Sequence, residues 1–145
     1  MPAYSFQPRF VAPIQAGTKG GTIRKARTVV GTGRVARTRA QTIGGHAYPG
    51  ERLALYCRQR HPSGFLVAEK RCLEVEPIEL NFDAAAIAFL AREYLIDQPE
   101  DLDAFARFDG FDSWADLGAF WQATHDLPVF EGWHIRWRPW PIGGQ

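Results

Sequence analysis

Apolar and polar positions along the chain predict short strands, then a run of helices, then a closing strand. Tyr4-Ser5-Phe6 reads as a first strand, and Pro8 is placed to open a helical turn after it. Phe10 and Ile14, four apart, share one face of a short helix that Gly17 can end as a C-terminal cap. Gly20-Gly21 then makes a turn whose backbone a ligand can approach closely, ahead of a strand starting at Thr22-Ile23-Arg24. Glu51 to Cys57 alternates with Leu53 and Leu55 on one face, His61-Pro62-Ser63-Gly64 supplies a turn, and Phe65 to Val75 is a long second arm that Pro77 ends. These features together predict a hairpin. Past Asn81 or Asp83, either of which can cap it, the spacing of Ile87, Leu90, Ala91 and Tyr94 predicts a helix. A second helix starts near Asp101, turns Leu102, Phe105 and Ala106 inward and stops at Gly110; Ser113 caps a third that carries Leu117, Phe120 and Trp121. In the closing strand Trp133, Ile135 and Trp137 alternate with His134, Arg136 and Arg138, which predicts one buried and one basic face.

This order of elements predicts an α+β fold, a small curved sheet or partly open barrel with helices at one end. A chain of 145 residues fits one domain, residues 1–145, large enough to bury a core without staples. With 46% hydrophobic and 23% charged residues the composition is that of a globular protein. No apolar run approaches the roughly 18 residues of a spanning helix, and the N-terminus has neither the basic start nor the apolar stretch of a secretion signal. A cytoplasmic protein with no membrane association is the expectation. Cys57 and Cys72 show no metal-type spacing and read as core-filling thiols, and the four histidines are scattered, so neither a metal nor another cofactor is predicted.

Charge changes the picture. The first fifty residues hold no Asp or Glu, while Arg9, Lys19, Arg24, Lys25, Arg27, Arg34, Arg37 and Arg39 give that third +8. Nine Lys/Arg against sixteen Asp/Glu leave the remainder at −7. Such segregation attracts polyanions, although a solvated basic loop facing the acidic half would carry the same charges. The stretch from about 25 to 45 is rich in Arg, Thr and Gly and reads as a long mobile loop. Its arginines suit the phosphates of RNA or single-stranded DNA.

Two groups could carry chemistry. In AGTKGGTIR, Lys19 can bind phosphate or, once desolvated, act as a base toward the Thr22 hydroxyl, with Arg24 close by; a surface lysine and a strand threonine are the plain alternative. In FDGFDSWADL, Asp112 and Ser113 are explained as helix caps, whereas Asp109 sits at a helix end where the dipole offers it nothing. Tyr48, Tyr56 and an exposed Trp140 could stack on a base, though aromatics in such segments also serve as core.

SFQPRFVAPIQAGTKGGTIRK, HAYPGERLALY, FARFDGFDSWADLGAFW and FEGWHIRWRP, in this order, resemble the ASCH family, which is similar in fold to the PUA domain of RNA-modifying proteins. The resemblance covers about half of the chain. It implies a small PUA-like β-barrel with surrounding helices and a cleft lined by the lysine-bearing turn. Some family members are amidohydrolases that remove an acyl group from the exocyclic nitrogen of cytidine. In these a lysine accepts a proton, a threonine three residues later attacks the amide, and a glutamate before the last helix donates a proton. Lys19 and Thr22 match by type and spacing, and the third position falls on Asp109, one methylene shorter. Other members are RNA-binding or ribonucleolytic, so the resemblance implies either a modified nucleoside or RNA as partner.

Overall fold

The computed structural model describes residues 1–26, 45–125 and 128–140. Its regular elements are β1 (Ala3–Phe6), α1 (Val11–Ala16), β2 (Gly21–Arg24), β3 (Arg52–Cys57), β4 (Phe65–Arg71), β5 (Glu74–Asn81), β6 (Ala86–Phe89), β7 (Tyr94–Ile96), α2 (Pro99–Phe108), α3 (Trp114–Thr124) and β8 (Val129–Arg136). The result is a mixed α+β fold. One sheet has the order β1-β3-β4, with β1 parallel to β3; the other has the order β2-β8-β5-β6-β7 and is antiparallel throughout. Among the described residues the two sheets do not close into a single barrel. No helix there is long and apolar enough to cross a membrane.

β8 organises the larger sheet, lying between β2 and β5 with Thr22 opposite Ile135 and Glu76 opposite His134. Ile135 and Trp137 are buried as predicted while Trp133 is half-buried, and on the face expected to be basic His134 and Arg136 are also buried, with only Arg138 half-exposed. Trp137 meets Phe6 of β1 edge to face at 6.3 Å, and His134 meets Phe105 of α2 at 5.0 Å and Phe108 at 6.1 Å. Periodicity reports which side chains share a face and is silent on what covers it. Trp140, expected outside, is likewise buried, edge-on to Phe105 and Phe108.

Two further expectations fail for local reasons. The helix predicted after Asn81 is a β-hairpin, with Ala86 to Phe89 antiparallel to Ile78 to Asn81 and a 3-10 turn at Leu90–Arg92 leading into β7. Asn81 Oδ1 accepts the Ala84 N–H at 2.9 Å, a bond that serves a turn as well as a helix start. Ile87 and Phe89 are buried while Leu90 is exposed, so burial follows period two. Pro77 does not end an arm; it lies inside β5, opposite Trp133, while pairing with β6 begins only at Ile78. Its missing N–H falls where β5 has a neighbour on one side alone.

The turns nearest the site are as predicted. Gly17 closes α1 in the left-handed conformation (φ 80°), its N–H donating to Ile14 O. Ser113 caps α3, its Oγ accepting the Asp116 N–H at 3.1 Å. Ser113→Ala should cost about 1 kcal/mol in urea unfolding, and an unchanged midpoint would deny the cap any energetic role. Cys57 and Cys72 are buried free thiols. Most of the loop predicted at 25–45 lies outside the described residues. Its described flanks are tied together: buried His46 donates from Nε2 to Lys25 O at 2.7 Å, and its Nδ1 pairs with the Tyr4 hydroxyl at 2.8 Å.

Candidate functional site

A cavity of about 270 Å³ opens beside β1 and β2, against the junction of α2 with α3 and the far end of α3. Lys19, Thr22, Arg24 and Asp109 all line it, although ninety residues separate the first from the last. Phe6, Phe10, Phe111, Phe120 and Trp121 supply aromatic walls. Ligand pockets run from roughly 300 to 1,000 Å³, so this one suits a single small, flat molecule.

Lys19 is 2% exposed. Its Nζ donates to the main-chain carbonyl of Asp109 and stands 4.7 Å from the Phe10 ring centroid. Burial in this apolar setting lowers its pKa from 10.5 to about 8; Asp109 works in the opposite direction, while Arg24 and Arg9 add to the fall. An appreciable uncharged fraction therefore exists near neutrality, as a general base requires.

Asp109 follows the last residue of α2, where the chain turns at Gly110 (φ 95°). Its Oδ1 lies 2.7 Å from His134 Nε2, with both side chains buried. Burial opposes ionisation of Asp109, but His134, Lys19 and Arg136 outweigh it and hold the carboxyl below its ordinary value. Glycines make room for this meeting. A β-carbon on Gly21 would stand 2.8 Å from His134 Nε2 and 3.1 Å from Asp109 Oδ1; one on Gly110 would stand 2.8 Å from Lys19 Cδ. One on Gly20 would meet Phe108 at 2.6 Å. The Gly-Gly pair was expected to admit a ligand to the backbone; what approaches it is the protein's own side chains.

Thr22 points its chemistry differently. Its Oγ1 accepts from Arg24 Nε at 3.1 Å, and Arg24 also donates to Ser5 O at 2.8 Å with its guanidinium 4.9 Å from the Phe6 centroid. A cation bonded to the hydroxyl oxygen stabilises alkoxide character and leaves the hydroxyl proton free to depart.

No protein-family model, curated protein or solved structure matches the chain. What can be said of the site therefore rests on its residues. Behind Asp109 the polar contacts continue: Arg136 Nη1 is 3.4 Å from His134 Nδ1, buried Arg136 pairs with buried Glu76, and Glu76 also accepts from Nε of the exposed Arg92 at 2.8 Å. Burial raises the Glu76 pKa but the two arginines more than offset it, so the net shift is downward. Arg136 and Glu76, the buried ions of this series, each face an opposite charge, the condition under which buried ions persist.

The other predicted residues fall elsewhere. Arg9 stays outside the cavity lining, bonded to Asp116 and lying over Phe10 and Phe111 at 5.2 and 5.1 Å. Tyr48 packs against the core and Tyr56 sits in β3; neither lines the cavity. Arg27, Arg34, Arg37 and Arg39 lie outside the described residues. The sequence did not mark His134, read as part of a basic strand face, or the wall formed by Phe111, Phe120 and Trp121 as parts of the site. Thr124 and His125 at the end of α3 also line the cavity; burial and then Lys25 push the His125 imidazole below its usual pKa. The only available signal for the wall was the repeated aromatic of FDGFDSWADLGAFW.

Proposed function

We propose that the chain is an ASCH-type, PUA-like protein that takes a nucleobase into this cavity and hydrolyses the amide of an N-acylated cytidine. The observation that carries the reading is the buried Lys19, with its pKa lowered to about 8, sharing an aromatic-walled cavity with Thr22 and Asp109. Aromatic walls suit a flat base, and the cavity volume suits one nucleoside better than a polymer segment.

In this reading uncharged Lys19 accepts the Thr22 proton as Oγ1 attacks the amide carbonyl carbon. The carbon–nitrogen bond breaks, the exocyclic nitrogen takes the proton from Lys19, and the acyl group remains on Thr22 as an ester. Water then attacks the ester, again through Lys19, releasing the carboxylic acid and restoring the hydroxyl. No metal or organic cofactor is required by these steps.

The experiment is incubation with N-acetylcytidine and product analysis. Acetate and cytidine should appear in equal amounts, and Thr22→Ala should lower the rate by a factor of about 100 or more. Full activity in Thr22→Ala would eliminate the acyl-threonine route.

A second reading, recognition of RNA or single-stranded DNA, is favoured by a surface depression bounded by Met1, Arg24, Gln59 and Arg60 that shares Ser5 and Arg24 with the cavity. It calls for affinity for labelled RNA that falls steeply with salt. RNA fragments among the products would instead indicate a ribonuclease.

A further inference from the structure

The cavity has two ends, and its charge is not balanced. At one end Lys19 and Asp109 meet beside the start of β2 and the junction of α2 with α3; at the other Lys25, the residue after β2, lies with Thr124 and His125 at the far end of α3. Asp109 is the one carboxylate among the described residues of the lining, against Lys19, Arg24 and Lys25. Burial brings the Lys19 pKa down only to about 8, so near neutral pH the lining carries about two positive charges in excess. A free nucleoside, being neutral, matches none of that excess.

The Lys25 end is held in place by the fold. The Lys25 carbonyl accepts from Nε2 of buried His46 at 2.7 Å, which ties the chain just beyond β2 to the core. The half-buried His125 ring lies 4.5 Å from Trp121 and 5.2 Å from Phe130 between centroids, so two aromatic neighbours set its plane. Its Nδ1 is 2.8 Å from Thr124 Oγ1, which leaves Nε2 as the polar atom it can offer to a ligand. Burial, and after it the Lys25 ammonium, disfavours a proton on this ring. An anion placed between the two is therefore attracted by Lys25 directly and by His125 through the proton that the ring takes up as the anion arrives. The C-terminus of α3 contributes about half a negative charge there, less than the full charge of Lys25.

We infer that Lys25 and His125 form a phosphate subsite, so that the cavity takes a nucleoside monophosphate, its base between the aromatic walls and its phosphate at the end of α3. The inference rests on the nucleobase reading above and names the class of molecule that the site admits. A phosphomonoester carries about −1.5 to −2 at pH 7 and matches the excess charge of the lining. A phosphodiester within a strand carries about one charge and would require the strand to leave the cavity on both sides.

The probes are cytidine, its 5′- and 3′-monophosphates and the dinucleotide cytidylyl-cytidine, titrated against the whole chain at low salt with tryptophan fluorescence as the signal. At least one monophosphate should bind about 10-fold or more tightly than cytidine, and more tightly than the dinucleotide. Lys25→Glu should reverse the preference for phosphate. His125→Phe, which keeps an aromatic ring against Trp121 and Phe130, should reduce it. Monophosphates that bind no better than cytidine, a preference that survives Lys25→Glu, or a dinucleotide that binds most tightly would each overturn the inference while the nucleobase reading stands. Binding of none of the probes would overturn the nucleobase reading and the inference with it. Because the variants can fail to fold, the wild type supplies an independent measurement: the His125 imidazole, followed by proton NMR, should titrate at higher pH with the monophosphate bound than with cytidine bound, and an unchanged titration would overturn the subsite.

Discussion

Lys19→Met should lower kcat/KM for N-acetylcytidine by about a thousandfold, and it should also change how stability depends on pH. In the wild type, activity should climb with pH through a midpoint near pH 8 and level off above about pH 9, because in the proposed mechanism only the uncharged amine takes the Thr22 proton and burial brings its pKa to about 8. The same burial has a thermodynamic consequence of definite sign. The folded protein holds the Lys19 proton less tightly than the unfolded chain, whose pKa is 10.5. Between pH 8 and 10.5 the unfolded state therefore binds more protons, and stability rises with pH across that window. The shift is equivalent to about 3 kcal/mol, all of it present as a penalty below pH 8 and relieved above 10.5. Urea unfolding of wild type and Lys19→Met at a series of alkaline pH values reads the difference directly. Parallel curves would show that Lys19 pays no such penalty and would remove the physical basis for its role as a base.

Gly21→Ala should destabilise the fold by about 3 kcal/mol or more and abolish nucleoside binding. No backbone strain is involved: Gly21 is a β2 residue paired with Arg136. The added methyl would stand 2.8 Å from His134 Nε2, 3.1 Å from Asp109 Oδ1 and 3.1 Å from Ile135 O. Overpacking a rigid core costs roughly 1–3 kcal/mol, and leaving a buried carboxylate without its hydrogen-bond donor costs roughly 1–3 kcal/mol or more. His134 cannot retreat, since Phe105 lies at 5.0 Å and Phe108 at 6.1 Å on the α2 side. Thermal unfolding together with cytidine titration tests this. A variant of wild-type stability that still binds cytidine would show that the Asp109–His134 contact is dispensable.

The elements nearest Lys19 were legible from local chemistry. Tyr4 to Phe6 as a strand, Gly17 as the end of α1, Thr22 in a strand and Ser113 as a helix cap each depend on a few neighbouring residues, and each is found. The stretch after Asn81 was misread because a turn and a helix start use the same Asn side-chain bond, and only pairing of Ala86–Phe89 with β5 decides between them. His134 was misread because its strand is polar on alternate positions, as a solvated strand would be. The covering α2 comes from a distant part of the chain.

Residue chemistry in the sequence determined that Lys19, Thr22 and Asp109 could form a site, since a base, a hydroxyl and an otherwise unexplained acid are recognisable by type and spacing. Tertiary structure alone decided what surrounds each. Whether Lys19 sheds its proton depends on how much water and how much charge surround it, and the Asp109 carbonyl and the Phe10 ring that surround it are ninety residues downstream and nine upstream. Whether Asp109 gives or receives a proton depends on His134, twenty-five residues further along and brought within 2.7 Å by the gap at Gly21. Desolvation and hydrogen bonding act through space, and spacing along the chain does not encode them.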